Sequence, residues 1–100
     1  MSDSPSLSIV HNPASQRFEL ALDGEVAHVD YRISDGVMRL VHTEVPPAHE
    51  GRGIAGALVR AALVHARGAG LHVLPRCSYV HSYMQRHPET HDLLPEGSLP

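Results

Sequence analysis

The hydrophobic pattern of this chain changes period near its middle, and that change limits the folds open to it. In the first half, apolar and polar residues alternate, which predicts β-strands over Leu7 to His11, Arg17 to Leu22, Val26 to Ile33 and Val37 to Val45. In the second half, apolar residues recur at helical spacing from about Gly53 to Arg67. Because 100 residues make one ordinary domain, we expect a single domain over 1–100, with an ordered core over about 7–95.

Turn residues between the strands of the first half favour an antiparallel meander. Asp23-Gly24 and Asp35-Gly36 supply the positive-φ positions that hairpin turns require. In the third strand the residues of one face are apolar and those of the other face are polar. The apolar set, which should meet a helix, is Ala27, Val29, Tyr31 and Ile33.

The second half predicts a crossover unit and a further helix. We expect Gly68 to end the long helix and a short strand over Leu71 to Leu74 to lie parallel to the fourth strand. A second helix is predicted from Ser78, as N-cap, to His87, and a loop from Glu89 onward. The predicted class is therefore α+β: a mixed, mostly antiparallel sheet with two helices.

Composition excludes several functional classes. The net charge is -3, no lysine occurs and the eight arginines form no basic run, so nucleic acid is not an expected partner. No apolar run approaches the roughly 20 residues of a membrane span, and the first residues lack the pattern of a signal peptide. The single cysteine has no internal disulfide partner. We therefore expect a cytoplasmic protein with no membrane partner.

The segment Val45-Pro-Pro-Ala-His-Glu-Gly-Arg-Gly-Ile-Ala-Gly56 joins the fourth strand to the long helix. A helix N-terminus binds anions, because its first N–H groups lack intrahelical partners. Gly51 and Gly53 let the backbone approach a phosphate, to which Arg52 can add a charge-assisted hydrogen bond. Gly56 is predicted to allow close packing against the sheet or a ligand. The segment therefore predicts a pyrophosphate site.

The same residues resemble the cofactor-binding motif of the GNAT acyltransferase superfamily, in the register Glu50-Gly-Arg-Gly-Ile-Ala55. The Gly53 and Ala55 positions match, whereas Glu50 stands where the family usually has Arg or Gln. The resemblance implies a compact GNAT-like fold and acetyl-coenzyme A as cosubstrate, with no metal. It also implies that the fourth strand pairs with the pantetheine arm. The implied cofactor-binding residues are Val45, Gly51, Arg52, Gly53, Ile54, Ala55, Tyr79 and Tyr83.

The resemblance extends to Cys77, because very small GNAT-like N-acetyltransferases carry a Cys-Ser-Tyr segment just after the fifth strand. This cysteine also lies beside Arg76, near a predicted helix N-terminus and one turn from His81, and each feature stabilises a thiolate. Three roles remain open at this point: a nucleophile that accepts the acetyl group, a thiol that lines the cofactor site, or a small buried residue.

Direct transfer of the acetyl group to an amine is the alternative mechanism. It needs a base, for which Glu44 at the end of the fourth strand is the candidate, and an acid, for which Tyr79 or Tyr83 is available. The acceptor implied by the family is an amine of a small molecule or a protein. A non-catalytic module that binds or senses coenzyme A is the alternative function, and the oligomeric state is open.

Two other readings of the motifs lead to different classes of protein. Gly51 to Gly56 also satisfies the dinucleotide fingerprint, but Pro75-Arg76 stands where that fold needs an acidic residue. A metal-dependent or binding module would use Cys77, His81, His87 and His91.

Overall fold

The computed structural model describes residues 8–98, and it has the predicted α+β architecture. Its strands are β1 (Val10–Asn12), β2 (Arg17–Leu22), β3 (Glu25–Ser34), β4 (Val37–Glu44) and β5 (His72–Pro75). Its helices are α1 (Ile54–Gly68) and α2 (Ser78–Arg86), with short 3₁₀ helices at Pro47–His49 and Pro88–Leu93. The start of the first predicted strand, Leu7, lies outside the described residues.

The five strands form one mixed sheet in the order β1-β2-β3-β4-β5. Neighbours are antiparallel from β1 to β4, whereas β4 and β5 are parallel and joined through α1, as predicted. Both hairpin turns use the expected residues, with φ of 48° and 84° at Asp23 and Gly24 and of 54° and 74° at Asp35 and Gly36. These turns fix the register of the meander.

Both helices pack on one face of the sheet, and the hydrophobic core lies between the helices and the sheet. Of the apolar residues predicted for that face of β3, Ala27, Val29 and Tyr31 are buried. Ile33 is the exception, with 42% of its surface exposed, because it lies beside the turn at the end of the sheet. The fully buried side chains with the largest volumes are Met38, Leu40, Leu58, Met84, Val29, Val59, Val73 and Val80.

The helix ends differ from the predicted ends in three ways. Gly53 is the N-cap of α1 rather than its first residue, and Gly68 is still helical, so the left-handed residue after the helix is Gly70, with φ of 72°. Cys77, not Ser78, caps α2, because its backbone is extended (φ −90°, ψ 136°). No helix among residues 8–98 is both long and apolar enough to cross a membrane.

The segment after α2 is not the loop that the sequence predicted. It forms the 3₁₀ helix Pro88–Leu93, in which the Thr90 hydroxyl donates to the carbonyl oxygen of His87 (2.7 Å). Leu93 and Leu94, at the end of this segment, are buried in the core. Burial of these two leucines explains why the short helix persists without a strong periodic pattern.

A β-bulge in β4 exchanges the two faces of its last residues. Tyr31 pairs with Leu40, but Asp30 pairs with His42, so Val41 is an extra residue on β4. Cross-strand partners share a face. Thr43, which pairs with the buried Val29, therefore faces the helices, whereas Glu44, which pairs with His28, faces the opposite, open side.

Candidate functional site

A cleft opens where β4 and β5 diverge. The parallel pairing stops at Leu40 and Pro75, although β4 continues to Glu44. After Pro75 the chain turns from β5 into α2, and the backbone N–H groups of Arg76 and Cys77 both donate to the carbonyl oxygen of Leu40 (2.9 Å each). The cleft has a volume of about 390 Å³. Its lining residues are Thr43, Val45, His49, Glu50, Gly51, Gly53, Ile54, Ala55 and Tyr79.

One wall of the cleft has the properties of an anion site. Gly51 and Gly53 have φ of 81° and 77°, and a Cβ atom on either would meet no atom within 4 Å. The helix α1 that follows has no acidic residue in its first turn and no side chain hydrogen-bonded to its N-cap. Its first N–H groups are therefore available to a bound anion, and the positive end of its dipole favours one. These features fit a pyrophosphate.

Two other residues of the glycine loop differ from expectation. Arg52 is exposed and does not line the cleft; its guanidinium lies 2.9 Å from Nδ1 of His49, which is buried, with 7% of its surface exposed. An arginine can only donate, so Nδ1 of His49 is the acceptor in this contact. Glu50, where the family usually has Arg or Gln, lines the cleft and brings a carboxylate into it.

The two tyrosines of α2 flank Gly56, on the first turn of α1. A Cβ atom at Gly56 would lie 3.4 Å from Oη of Tyr79 and 3.8 Å from Cε2 of Tyr83. The close packing predicted for Gly56 is therefore packing against α2, not against the sheet. Tyr79 lines the cleft, whereas Tyr83 lies one turn further along α2, stacked on His87 with ring centroids 4.1 Å apart.

The Cys77 sulfur lies 3.5 Å from Oγ1 of the cleft residue Thr43, although Cys77 itself does not line the cleft. Partial burial raises the pKa of the thiol, but hydrogen bonding with the Thr43 side chain and with backbone groups of Val80, Tyr79 and Thr43 outweighs it. The net pKa lies below the ordinary value of 9.0. The charges of Arg76 and His81, which the sequence suggested, are not the cause.

Glu44 lies on the open face of the sheet, opposite the cleft. Its carboxylate is exposed and 3.1 Å from Nε2 of His42. This hydrogen bond, followed by the charge of His28, lowers the pKa of Glu44. The sequence suggested Glu44 because it ends β4 beside the glycine loop, but the bulge at Val41 turns its side chain to the other face of the sheet.

Comparisons with known proteins identify the family of this fold and cleft. A family model described as GCN5-related N-acetyl-transferase matches residues 17–93. This chain belongs to that family. Protein NATD1 of Xenopus tropicalis is 32% identical over 92 residues, which cover 88% of this chain and 84% of the relative. Protein NATD1 of Homo sapiens is 31% identical over 86 residues, covering 82% and 75%.

A solved structure shares the fold of this GCN5-related domain. The solution structure of a GCN5-like protein from Staphylococcus aureus superposes with a TM-score of 0.67 over 92% of this chain and 91% of that one, at 22% identity. The predicted GNAT-like fold and the predicted class of enzyme, an N-acetyltransferase, are thus confirmed.

The residues of the two rival motifs have other surroundings in this member of the family. Its sheet has one parallel pair and is not the doubly wound sheet that the dinucleotide fingerprint needs. Within the described part of the chain, no three His, Cys, Asp or Glu side chains are grouped to hold a metal ion. Of the suggested ligands, His87 pairs with Glu89 (3.0 Å) and His91 with the carbonyl oxygen of Met84 (2.7 Å).

Sequence reasoning missed two residues of the cleft, Thr43 and His49. The role of Thr43 depends on the bulge, which no local pattern of β4 indicates. His49 is one of nine histidines, and only its burial against the loop distinguishes it.

Replacing Thr43 with valine should raise the pKa of the Cys77 thiol, because the hydroxyl favours the thiolate and valine cannot. The pH dependence of alkylation of Cys77 by iodoacetamide measures this pKa, and slower alkylation at pH 7 is the expected result. Thr43→Ser, which keeps the hydroxyl, serves as the control. An unchanged midpoint in Thr43→Val would mean that the hydroxyl does not act on the sulfur.

Proposed function

We propose that this chain transfers an acetyl group from acetyl-coenzyme A to an amine, with Cys77 as the residue that carries the acetyl group. The observation that supports this is the composition of one cleft. The cleft contains an uncapped helix N-terminus beside Gly51 and Gly53, and it also contains Thr43, whose hydroxyl contacts a thiol of lowered pKa. Acetyl-coenzyme A has a pyrophosphate, which suits the helix N-terminus, and a thioester, which suits the thiol. The GCN5-related N-acetyl-transferase family, to which this chain belongs, supports the same ligand.

In this proposal the pyrophosphate of coenzyme A binds the N–H groups at the start of α1. Gly51 and Gly53 permit its close approach, and Ile54 and Ala55 present the first turn of the helix. The pantetheine arm follows the end of β4 past Val45, where no strand pairs on the β5 side. This arrangement directs the thioester toward Thr43 and Cys77. Glu50 is the unfavourable charge in the site, so its removal would strengthen phosphate binding.

The proposed chemistry has two steps. The thiolate of Cys77 attacks the thioester carbonyl; a bond forms between Sγ and the acetyl carbon, the bond to the coenzyme A sulfur breaks, and coenzyme A leaves as a thiolate that takes a proton from water. A neutral amine then attacks the acetyl group on Cys77. The amide forms, the bond to Sγ breaks, and the surplus proton of the amine passes to the released Cys77 thiolate or to solvent.

The position of Glu44 favours this route over direct transfer. A general base must lie within hydrogen-bond reach of the proton that it removes. Glu44 is separated from the cleft by the sheet itself, and its carboxylate pairs with His42. Cys77, by contrast, is partly exposed, which leaves its sulfur accessible to the amine of a small molecule or a protein.

Calorimetric titration with acetyl-coenzyme A, and with NADPH as a control ligand, tests the proposal. We expect saturable binding of acetyl-coenzyme A alone. Incubation with acetyl-coenzyme A in the absence of an acceptor should then add one acetyl group, which peptide mass spectrometry would assign to Cys77. Binding without acetylation or turnover with any amine would favour the binding or sensing function instead. No binding would exclude both.

A further inference from the structure

Four aromatic rings meet where β1 contacts the last turn of α1, at the opposite edge of the sheet from the cleft. The His11 ring stacks on the Phe18 ring, with centroids 4.3 Å apart and planes inclined by 8°. Its Nε2 atom lies 2.6 Å from the hydroxyl oxygen of Tyr31, and its centroid lies 4.4 Å from that of His65 on α1. These four residues form the ring cluster, which has no role in the proposed acetyl transfer.

The ring cluster attaches a weakly held strand to the rest of the domain. β1 is three residues long, lies at the edge of the sheet and pairs with β2 alone among residues 8–98. Two of its side chains add to this pairing: Nδ2 of Asn12 donates to Glu19 (3.3 Å), and the ring of His11 joins the cluster. A short edge strand opens more easily than the central strands of a sheet, so loss of the His11 contacts would favour its release.

Protonation of both histidines would place two positive charges side by side. At a centroid distance of 4.4 Å, two like charges repel by well more than RT, even at the effective dielectric constant of a protein surface. His65 lies in the last turn of α1, where the helix dipole favours a positive charge. Burial, and after it the charge of His65, lower the pKa of His11 from its ordinary value of 6.5. The folded chain therefore resists a proton that the unfolded chain accepts.

No carboxylate in the described part of the chain offsets this repulsion at His11. Arg17 and Glu19 of the neighbouring β2 alternate with the buried Phe18, so they face the open side of the sheet. The Tyr31 hydroxyl of β3 is uncharged near neutral pH, because burial raises its pKa above the ordinary 10.0. The ring cluster can therefore hold one proton easily but not two.

We propose that His11 and His65 form an acid-sensitive clasp, which holds β1 against α1 at neutral pH and releases it in mildly acidic conditions. The sign follows from linkage. Because folding lowers the pKa of His11, the stability that this residue contributes is complete above 6.5 and is lost as the pH falls from 6.5 toward the lowered value.

Release of β1 would change one edge of the molecule and leave the cleft intact. It would uncover the Phe18 ring, which is 3% exposed in the closed form, and the backbone edge of β2, which could then pair with another strand. The cleft lies at β4 and β5, beyond β2 and β3 in the sheet. The clasp is therefore independent of the proposed function.

Hydrogen exchange followed by NMR tests the clasp, with the rate of each amide divided by its intrinsic rate at the same pH. Between about pH 7.5 and about pH 5, protection of the β1–β2 amides should fall about tenfold more than protection across β3 and β4. An NMR titration of the imidazole rings should also give His11 a midpoint below 6.5.

Three variants separate the clasp from general acid sensitivity. His65→Gln should raise the His11 midpoint and remove most of the additional loss of protection, because the second charge is gone. His11→Phe can still stack on Phe18 but cannot be protonated, so it should remove that loss as well and identify the His11 signal by its absence. His72→Gln, at an exposed position of β5, is the matched control and should keep both effects.

Two results would overturn the clasp. One is the same additional loss of β1–β2 protection in His65→Gln as in the unmodified protein. The other is a His11 midpoint at or above 6.5 in the unmodified protein, which needs no variant to fold. Neither measurement involves acetyl-coenzyme A, so the proposed function would be unaffected by either result.

Discussion

Gly53→Val is expected to abolish binding of acetyl-coenzyme A, measured by calorimetry. Gly53 has φ of 77°, a conformation that a β-branched residue rarely adopts, and its missing Cβ points into open space. Valine would move the loop and fill the space that the pyrophosphate needs. Loss of two hydrogen bonds between backbone N–H groups and phosphate would weaken binding by more than about 100-fold.

A matched variant separates this effect from backbone strain. Gly24 has φ of 84° in the first hairpin turn, and a Cβ atom there would also meet no atom within 4 Å. Gly24→Val should therefore lower the free energy of unfolding by a similar amount, about 1–3 kcal/mol, without changing affinity for the cofactor. Unchanged affinity in Gly53→Val would mean that the cleft at α1 is not the cofactor site.

Cys77→Ala should bind acetyl-coenzyme A with normal affinity but lose turnover by about 1,000-fold or more, because alanine has no group to accept the acetyl. Calorimetry measures the first effect and steady-state kinetics with an amine acceptor the second. The covalent adduct should also be absent from intact mass spectra. If the thiol only lines the site, activity should survive within a few fold.

Glu44→Gln, tested beside Cys77→Ala, distinguishes direct transfer from transfer through acetyl-Cys77. Direct transfer with Glu44 as the base predicts that this variant is inactive while Cys77→Ala remains active. The acetyl-Cys77 route predicts the reverse order. The exposed position of Glu44 on the open face makes the substitution structurally mild, so a loss of activity would not be due to misfolding.

Most of the fold follows from local patterns in the sequence. Period-2 alternation located β2, β3 and β4, and the Asp-Gly pairs located both hairpin turns, because each signal depends only on neighbouring residues. Apolar residues at helical spacing located α1. The same kind of signal failed after α2, where the burial of Leu93 and Leu94 depends on contacts with distant parts of the core.

The candidate site could also be predicted only in part from the sequence. The glycine loop and the start of α1 were predictable, since positive φ and an uncapped helix N-terminus are properties of one continuous segment. The surroundings of Cys77 were not. Thr43 is 34 residues away in sequence, and it reaches the sulfur only because an extra residue in β4 turns it toward the helices.

The sequence by itself determined the strands, the two α-helices, the turns and the glycine loop of this protein, because these depend on interactions between residues close in the chain. Only the tertiary structure decided which side chains share the cleft. One residue inserted at the bulge sent Glu44 to the open face and Thr43 to the sulfur of Cys77, and the packing of α2 on α1 brought Tyr79 and Tyr83 against Gly56. Such choices depend on strand pairing and helix packing, which no local pattern encodes.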